Sequence, residues 1–306
     1  MDCELAVKID VDTLKGYLEG VPCLLNTLGE RNIKASIFFS MGPDASGRAI
    51  RRIFRRGFLA KMLRTRAPAT YGLKTLLYGT LLRAPMIVSS NPDILKRALE
   101  EGHDCGIHGW NHVRWQDRLT AMSREEIRVE FTKAVELFSR LAGRAPSGSA
   151  APGWQISTDS LFVQDELGFA YCSDVRGKFP FLPRMSGVTF RTLQIPSTLP
   201  TTDELWGLGG MDADAVKERC LDLLEPGLNV HTVHAEMEGG VLRDSFRCFL
   251  DCCIEGEVGF VTLQDVALRQ RGRTGVCDVD MKPITGRAGE VATQMTQGEA
   301  FRAHAS

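Results

Sequence analysis

The sequence predicts an α/β protein whose strands close, or nearly close, into a (β/α) barrel. Strand-like and helix-like segments alternate along the chain, which implies a mostly parallel sheet. About eight strand-like runs fall within roughly 260 residues, a density that suits a barrel better than an open doubly wound sheet. Asp10 and Asp12, His108, Asp174 and His234 each stand at or just beyond the C-terminal end of one such run. In a (β/α) barrel those ends open on one face, where the catalytic groups gather.

Leu5–Val11 is a short apolar run that reads as a buried strand. Helical periodicity follows over Val21–Arg31, and Ile33–Ser40, centred on Ile37-Phe38-Phe39, reads as the second strand. Asn91-Pro92 starts a helix, cap then proline, that runs to about Glu101 and stops at Gly102. Asp104–Ile107 is a third strand and delivers His108. Ser123-Arg124-Glu125-Glu126 is a capping box, opening a long amphipathic helix that ends near Gly143. Ser147–Ala151 is a weak fourth strand, and Ser157–Leu167 a helix closed by Gly168. Phe169–Ser173, Arg191–Ile195, Asn229–His234 and Val258–Thr262 read as further strands, with helices over Asp212–Leu224 and Arg243–Cys253. Residues 1–268 are thus read as the barrel, and residues 269–306 as a polar, glycine-containing tail that is loosely ordered in part.

With 306 residues the chain can bury a sizeable core, and 43% hydrophobic with 25% charged residues is a soluble globular composition. No stretch approaches the roughly 20 apolar residues of a membrane span. Met1-Asp2-Cys3-Glu4 has neither the basic nor the apolar region of a signal peptide, so a cytosolic location is expected. The 9 cysteines are odd in number, scattered and without a C-x-x-C pair, which predicts reduced, mostly packed thiols.

A net charge of −1 hides a strong asymmetry. Between Ala45 and Asn91 there is no Asp or Glu, while Arg48, Arg51, Arg52, Arg55, Arg56, Lys61, Arg64, Arg66, Lys74 and Arg83 are interleaved with Ile, Leu, Met and Phe. Such a basic amphipathic insertion, about residues 45–90, suits an anionic membrane surface. An ordinary helical insertion with a solvated basic face would have the same composition. No aromatic-basic RNA motif or recognition helix accompanies the charge, so nucleic acid is not an expected partner.

The chemistry centres on His108-Gly109-Trp110-Asn111-His112. If the backbone there is helical or tightly turned, the two imidazoles share a face and can reach one divalent ion. A catalytic site needs about three protein ligands and an open position, and Asp10-Val11-Asp12 is the candidate source of the third. Taken singly, each motif also fits a bland role: two polar loop residues, a turn or cap pair, a core histidine. Two imidazoles and one carboxylate suit zinc, iron, cobalt, nickel or manganese alike.

Together, Asp10-x-Asp12, His108-x3-His112 and Thr232-Val233-His234 resemble the motifs of the metal-dependent polysaccharide deacetylase family. Further segments resemble one branch, which deformylates undecaprenyl-phosphate-linked 4-deoxy-4-formamido-L-arabinose. They include Ala35-Ser36-Ile37-Phe38-Phe39-Ser40, Gly153-Trp154, Ser173-Asp174-Val175-Arg176-Gly177, His234-Ala235-Glu236 and Ile284-Thr285-Gly286-Arg287. The resemblance implies the distorted (β/α) barrel of these deacetylases, with a lipid-linked formamido sugar as substrate at the cytoplasmic face of the inner membrane. The exposed amine would later modify lipid A and confer polymyxin resistance. By position, Asp12, His108 and His112 match the family's metal ligands, Asp10 its catalytic base and His234 its catalytic acid. Asp174 is expected to orient His234, and a backbone N–H of Gly153 or Trp154 to meet the oxyanion.

One departure stands out. Many of these deacetylases carry an Arg before the proline that steadies the base, whereas this chain reads Ala150-Ala151-Pro152-Gly153-Trp154; Arg176 is the expected replacement. His231, expected on the same face of its strand, rivals His234 as the acid, and His103 is expected to be structural. Trp110, Trp154 and Trp206 are candidates to line a sugar site, and Glu236 and Glu238 to contact the sugar. Two alternatives accompany the deformylase reading: a deacetylase of N-acetyl sugars such as chitooligosaccharide or peptidoglycan, and a non-catalytic membrane-surface binding protein.

Overall fold

A computed structural model describes residues 2–49, 72, 74–270 and 272–295. Its organising strand is β1 (Cys3–Val11), buried along almost its whole length. Period-2 alternation divides the strand. Leu5, Val7, Ile9 and Val11 join the main core under the helices, whereas Ala6 belongs to a second cluster on the other face. Each of the four outer side chains stabilises the fold by about 1.5–3 kcal/mol through burial. The inner row therefore runs Ala6, Lys8, Asp10: small at the bottom, charged towards the strand's C-terminal end.

The other strands are β2 (Ser36–Phe39), β3 (Asp104–Ile107), β4 (Gly148–Ser149), β5 (Tyr171–Cys172), β8 (Gly227–His234) and β9 (Gly259–Val261). They pair in parallel in the order β5-β4-β3-β2-β1-β8, and β9 sits against the first half of β1. Lys8 to Val11 of β1 face Ser36 to Phe39, while Cys3 to Asp10 face Gly227 to His234. Asp10 thereby lies directly beside His234 in register.

The ring is not closed by regular strands. Between β5 and β8 runs the segment 193–199. Cys172 N–H donates to Leu193 O at 2.7 Å and Ile195 N–H to Cys172 O at 2.8 Å. Thr198 and Leu199 N–H both donate to Val230 O, at 3.1 and 3.2 Å. The expected strand Arg191–Ile195 is thus present as a bridging stretch, and the barrel is distorted there.

Helices cover the outer face: α1 (Val21–Gly29), α2 (Pro92–Glu100), α3 (His112–Arg118), α4 (Arg124–Ala142), α5 (Thr158–Leu167), α6 (Thr202–Leu205), α7 (Ala213–Asp222), α8 (Arg243–Glu255) and α9 (Leu263–Gln270). The capping box at Ser123 and Glu126 forms as expected, and Gly143 ends α4 in the left-handed conformation. All nine cysteines are free.

The C-terminal tail, read as loosely ordered in part, carries two strands among its described residues; residues 271 and 296–306 lie outside those described. Val276–Pro283 (β10) and Glu290–Gln294 (β11) form an antiparallel hairpin, and β10 pairs in parallel with β6 (Leu182–Met185), which pairs with β7 (Val188–Thr189). Arg176 N–H donates to Ala292 O at 2.8 Å and Gln294 N–H to Arg176 O at 2.7 Å, so the hairpin is stitched to the barrel. Most of the basic insertion, residues 50–71 and 73, lies outside the described residues. Among those described, no helix is long and apolar enough to cross a membrane.

Candidate active site

Asp10 and Asp12 project from the end of β1, and His108 follows β3 with its N–H donating to Phe39 O at 2.7 Å. Gly109, at φ +71, then turns the chain. Asn111 caps α3 by accepting from Arg114 N–H at 2.9 Å, which makes His112 the first helical residue. The two imidazoles therefore converge across a turn and a helix start, with ring centroids 5.3 Å apart. Asp12 bridges them. Its Oδ1 lies 3.2 Å from His108 Nε2 and its Oδ2 3.3 Å from His112 Nε2.

One ligand atom from each of Asp12, His108 and His112 falls within 4.8 Å of the others, a spacing that can hold a metal ion. The surroundings fit that use. Asp12 Oδ1 is buried without a hydrogen-bond partner, an arrangement that is costly unless a ligand compensates it. Burial opposes ionisation of Asp12, but the charges of His112 and His108 outweigh it and hold the carboxyl well below the usual range. A carboxylate and two imidazoles are a donor set for a borderline divalent cation.

The loop carrying Asp12 is fixed from behind by Glu236. Its Oε1 accepts from Asp12 N–H at 3.0 Å and from Thr13 N–H and Oγ1, both at 2.7 Å. Desolvation first, and the nearby Asp12 second, push the Glu236 carboxyl up to about 7. Glu238 Oε2 accepts from His234 N–H at 2.8 Å. Both glutamates, expected at the sugar, are buried supports of the backbone that bears Asp12 and His234.

Asp10 and His234 have partners other than those expected. Asp10 Oδ2 is 2.8 Å from the ammonium of Lys8, two residues back on the same inner face, and both side chains are almost fully buried. Lys8, not Arg176, is the cation beside Asp10. Arg176 instead pairs with Glu204 at 2.8 and 3.1 Å and donates to Leu199 O at 2.8 Å. The carboxylate beside His234 belongs to Asp203, with Oδ1 3.9 Å from Nδ1, and not to Asp174. Asp174 accepts from Gln164 at 2.7 Å and Gln194 at 3.2 Å. Burial disfavours a charged His234, but Asp203, Asp12, Glu238 and Asp10 outweigh it, so its pKa is raised.

His231 and His234 are three residues apart, an odd spacing that puts them on opposite faces of β8. His231 packs its ring 5.1 Å from Phe249 of α8, and burial pushes it down to about 4, so it is no rival for the acid. His103 is structural as expected: its Nδ1 accepts from Ala35 N–H at 3.1 Å, and burial pushes it down to about 4. Trp154 N–H is committed to Ala151 O at 3.1 Å. The Trp154 ring is 2% exposed and its Nε1 donates to Ser197 Oγ at 3.1 Å, a packed residue and not a sugar platform. Trp110 and Trp206 are half-buried.

Asp203 and Lys8 were missed by sequence reasoning. Lys8 could have been found from the alternation Lys8, Asp10 along β1. Asp203 carries a weaker signal, the capping box of Thr201 and Glu204 that starts α6.

A polysaccharide deacetylase family model matches residues 11–172. The chain is 39% identical over 261 residues to a protein of Shewanella sediminis named "Probable 4-deoxy-4-formamido-L-arabinose-phosphoundecaprenol deformylase", covering 85% of this chain and 84% of that one. A protein of the same name from Wigglesworthia glossinidia brevipalpis is 31% identical over 278 residues, covering 90% and 96%. Among solved structures, a "probable Polysaccharide deacetylase" from Pseudomonas aeruginosa superposes with a TM-score of 0.62 at 16% identity, over 89% of this chain and 93% of that one.

Proposed function

The chain belongs to the polysaccharide deacetylase family, whose members hydrolyse amide bonds of sugars, and from that premise we propose that it deformylates a 4-formamido-4-deoxy-L-arabinose carried on undecaprenyl phosphate. Water and the formamide give formate and the free amine, the class of product that modifies lipid A. The observation that carries the reading is the convergence of an Asp12–His108–His112 triad with a Lys8-paired carboxylate, Asp10, and a carboxylate-flanked imidazole, His234. Two relatives named for this reaction align over most of both chains.

A divalent ion held by Asp12, His108 and His112 would supply Lewis acidity at the amide oxygen and acidify a water beside it. Asp10, paired with Lys8 at 2.8 Å, takes the proton of the attacking water, a role worth about 10²–10⁴-fold. In this reading the Gly153 N–H, since Trp154 N–H bonds Ala151 O, stabilises the oxyanion. The amine cannot leave as an anion, so His234 in its charged form delivers a proton to the nitrogen. The basic stretch 45–90 would hold the enzyme peripherally against anionic lipid at the cytoplasmic face of the inner membrane, near a polyprenyl substrate. Metal identity among zinc, cobalt, manganese, nickel and iron follows from reconstitution of metal-free protein with each.

The test is acid release from the lipid-linked formamido sugar and, in parallel, from an N-acetylated chitooligosaccharide, with and without chelator. Formate from the first substrate, lost with chelator and restored by metal, is the expected result. Acetate from the second alone would move the protein to the wider deacetylase class. Neither acid from metal-loaded protein would overturn the reading.

A further inference from the structure

Beside the catalytic groups lies a cluster of two arginines around one carboxylate. The guanidinium carbon of Arg176 stands 5.1 Å from the Trp154 ring centroid, and that of Arg287, from the C-terminal hairpin, 4.5 Å from the same ring. Both cations share one carboxylate: Glu204 is 2.8 Å from Arg176 Nη1 and 3.3 Å from Arg287 Nη1. The side chains are only 11% and 10% exposed. Two largely buried guanidiniums flank one carboxylate, and an anion placed beside them would meet charged donors from both. Arg287 has five N–H donors and commits one of them to Glu204.

The position ties this arginine pair to the reaction. Lys8 Nζ, which pairs with Asp10, lies 5.1 Å from the same Trp154 centroid. Glu204 follows Asp203, which flanks His234. The Trp154 ring thus connects the catalytic groups to the arginine pair. Trp154 itself has φ +53, a left-handed backbone that a bulky residue adopts only at a cost of about 1–3 kcal/mol. Gly286, at φ +86, lets the hairpin approach so closely that a Cβ there would lie 2.1 Å from Glu204 O. The fold therefore accepts strain and close backbone contact in order to bring Arg287 to this point.

We propose that Arg176 and Arg287, stacked on Trp154, form the subsite for the phosphate of a glycosyl phosphate substrate. The planar fork of arginine matches two phosphate oxygens at once. In a pentose, the anomeric phosphate and the amide at position 4 lie on opposite sides of one ring. An arginine pair set to one side of the catalytic groups suits that separation. In the absence of ligand, Glu204 holds the two guanidiniums apart. The proposal rests on the deformylase reading for its sugar but not for its anion.

The experiment is calorimetric titration of metal-loaded protein with 4-formamido-4-deoxy-L-arabinose 1-phosphate, its neutral methyl glycoside and inorganic phosphate. The wild type is expected to bind the sugar phosphate at least tenfold more tightly than the glycoside. Arg287→Gln should abolish that difference, and Glu204→Gln, which removes the competing carboxylate, should enlarge it. The opposite signs separate anion recognition from a folding defect, because an unfolded variant cannot gain affinity. A preference for the sugar phosphate that survives Arg287→Gln, or weakens in Glu204→Gln, overturns the proposal. So does inorganic phosphate binding as tightly as the sugar phosphate. Formate release by the wild type is read separately: its absence, with Arg287-dependent binding intact, sinks the deformylase reading and leaves the subsite standing.

Discussion

Lys8 is an ammonium buried in the middle of a strand, tolerated because Asp10 lies 2.8 Å away and the Trp154 and Phe38 rings lie 5.1 and 5.8 Å from its charge. The pair was partly legible in the sequence, since residues two apart on a strand share a face; the apolar run around them drew attention elsewhere. Asp203 was not legible, because 31 residues separate it from His234 and only the packing of α6 brings them together. Its effect is testable through pH. Asp203 raises the pKa of His234, so the acid stays charged further into the alkaline range. In Asp203→Asn that support is lost, and His234 deprotonates at lower pH. The alkaline limb of the rate profile for formate release should move to lower pH, with about a tenfold loss of kcat near pH 8. An unmoved limb would show that Asp203 does not act through His234.

At the scale of elements, the long apolar strands and capped helices were legible because each carries its own signal. Leu5–Val11, Ile37-Phe38-Phe39 and the Ser123 capping box formed where expected. The hairpin of β10 and β11 carries no comparable signal, and the bridging stretch 193–199, read as a strand over Arg191–Ile195, gave no sign of its irregular course. Their order comes from partners distant in sequence, such as Cys172 for the bridge and Leu182 to Arg184 for the hairpin. The hairpin nonetheless reaches the active site, and Gly286 is the joint. Gly286→Ala adds a side chain where φ is +86 and where Glu204 O leaves no space. It should cost about 1–3 kcal/mol of stability and lower kcat by displacing the turn that holds Asp203 and Glu204. Denaturant unfolding together with kcat checks this. A variant with wild-type values for both would mean that the hairpin does not support the site.

For the whole molecule, the candidate metal ligands were legible because motif spacing and strand ends coincide, whereas the placing of Asp203 beside His234 was set by tertiary contacts alone. Two histidines outside the site set an acid limit on stability. His103 and His231 are buried neutral, pushed down to about 4 from an ordinary value near 6.5. The unfolded chain binds their protons first, so their contribution is complete above pH 6.5 and is lost as pH falls towards 4, by up to about 3 kcal/mol each. Unfolding free energies at pH 7.5 and 4.5 should differ less in His103→Gln than in the wild type; an equal difference would contradict this. The central claim, that Asp10 is the base of a deformylase, is tested most directly by formate release from the lipid-linked formamido sugar by wild-type and Asp10→Asn protein of equal metal content. The account predicts a loss of about 10²–10⁴-fold in Asp10→Asn. Formate released at the wild-type rate by metal-loaded Asp10→Asn would contradict it.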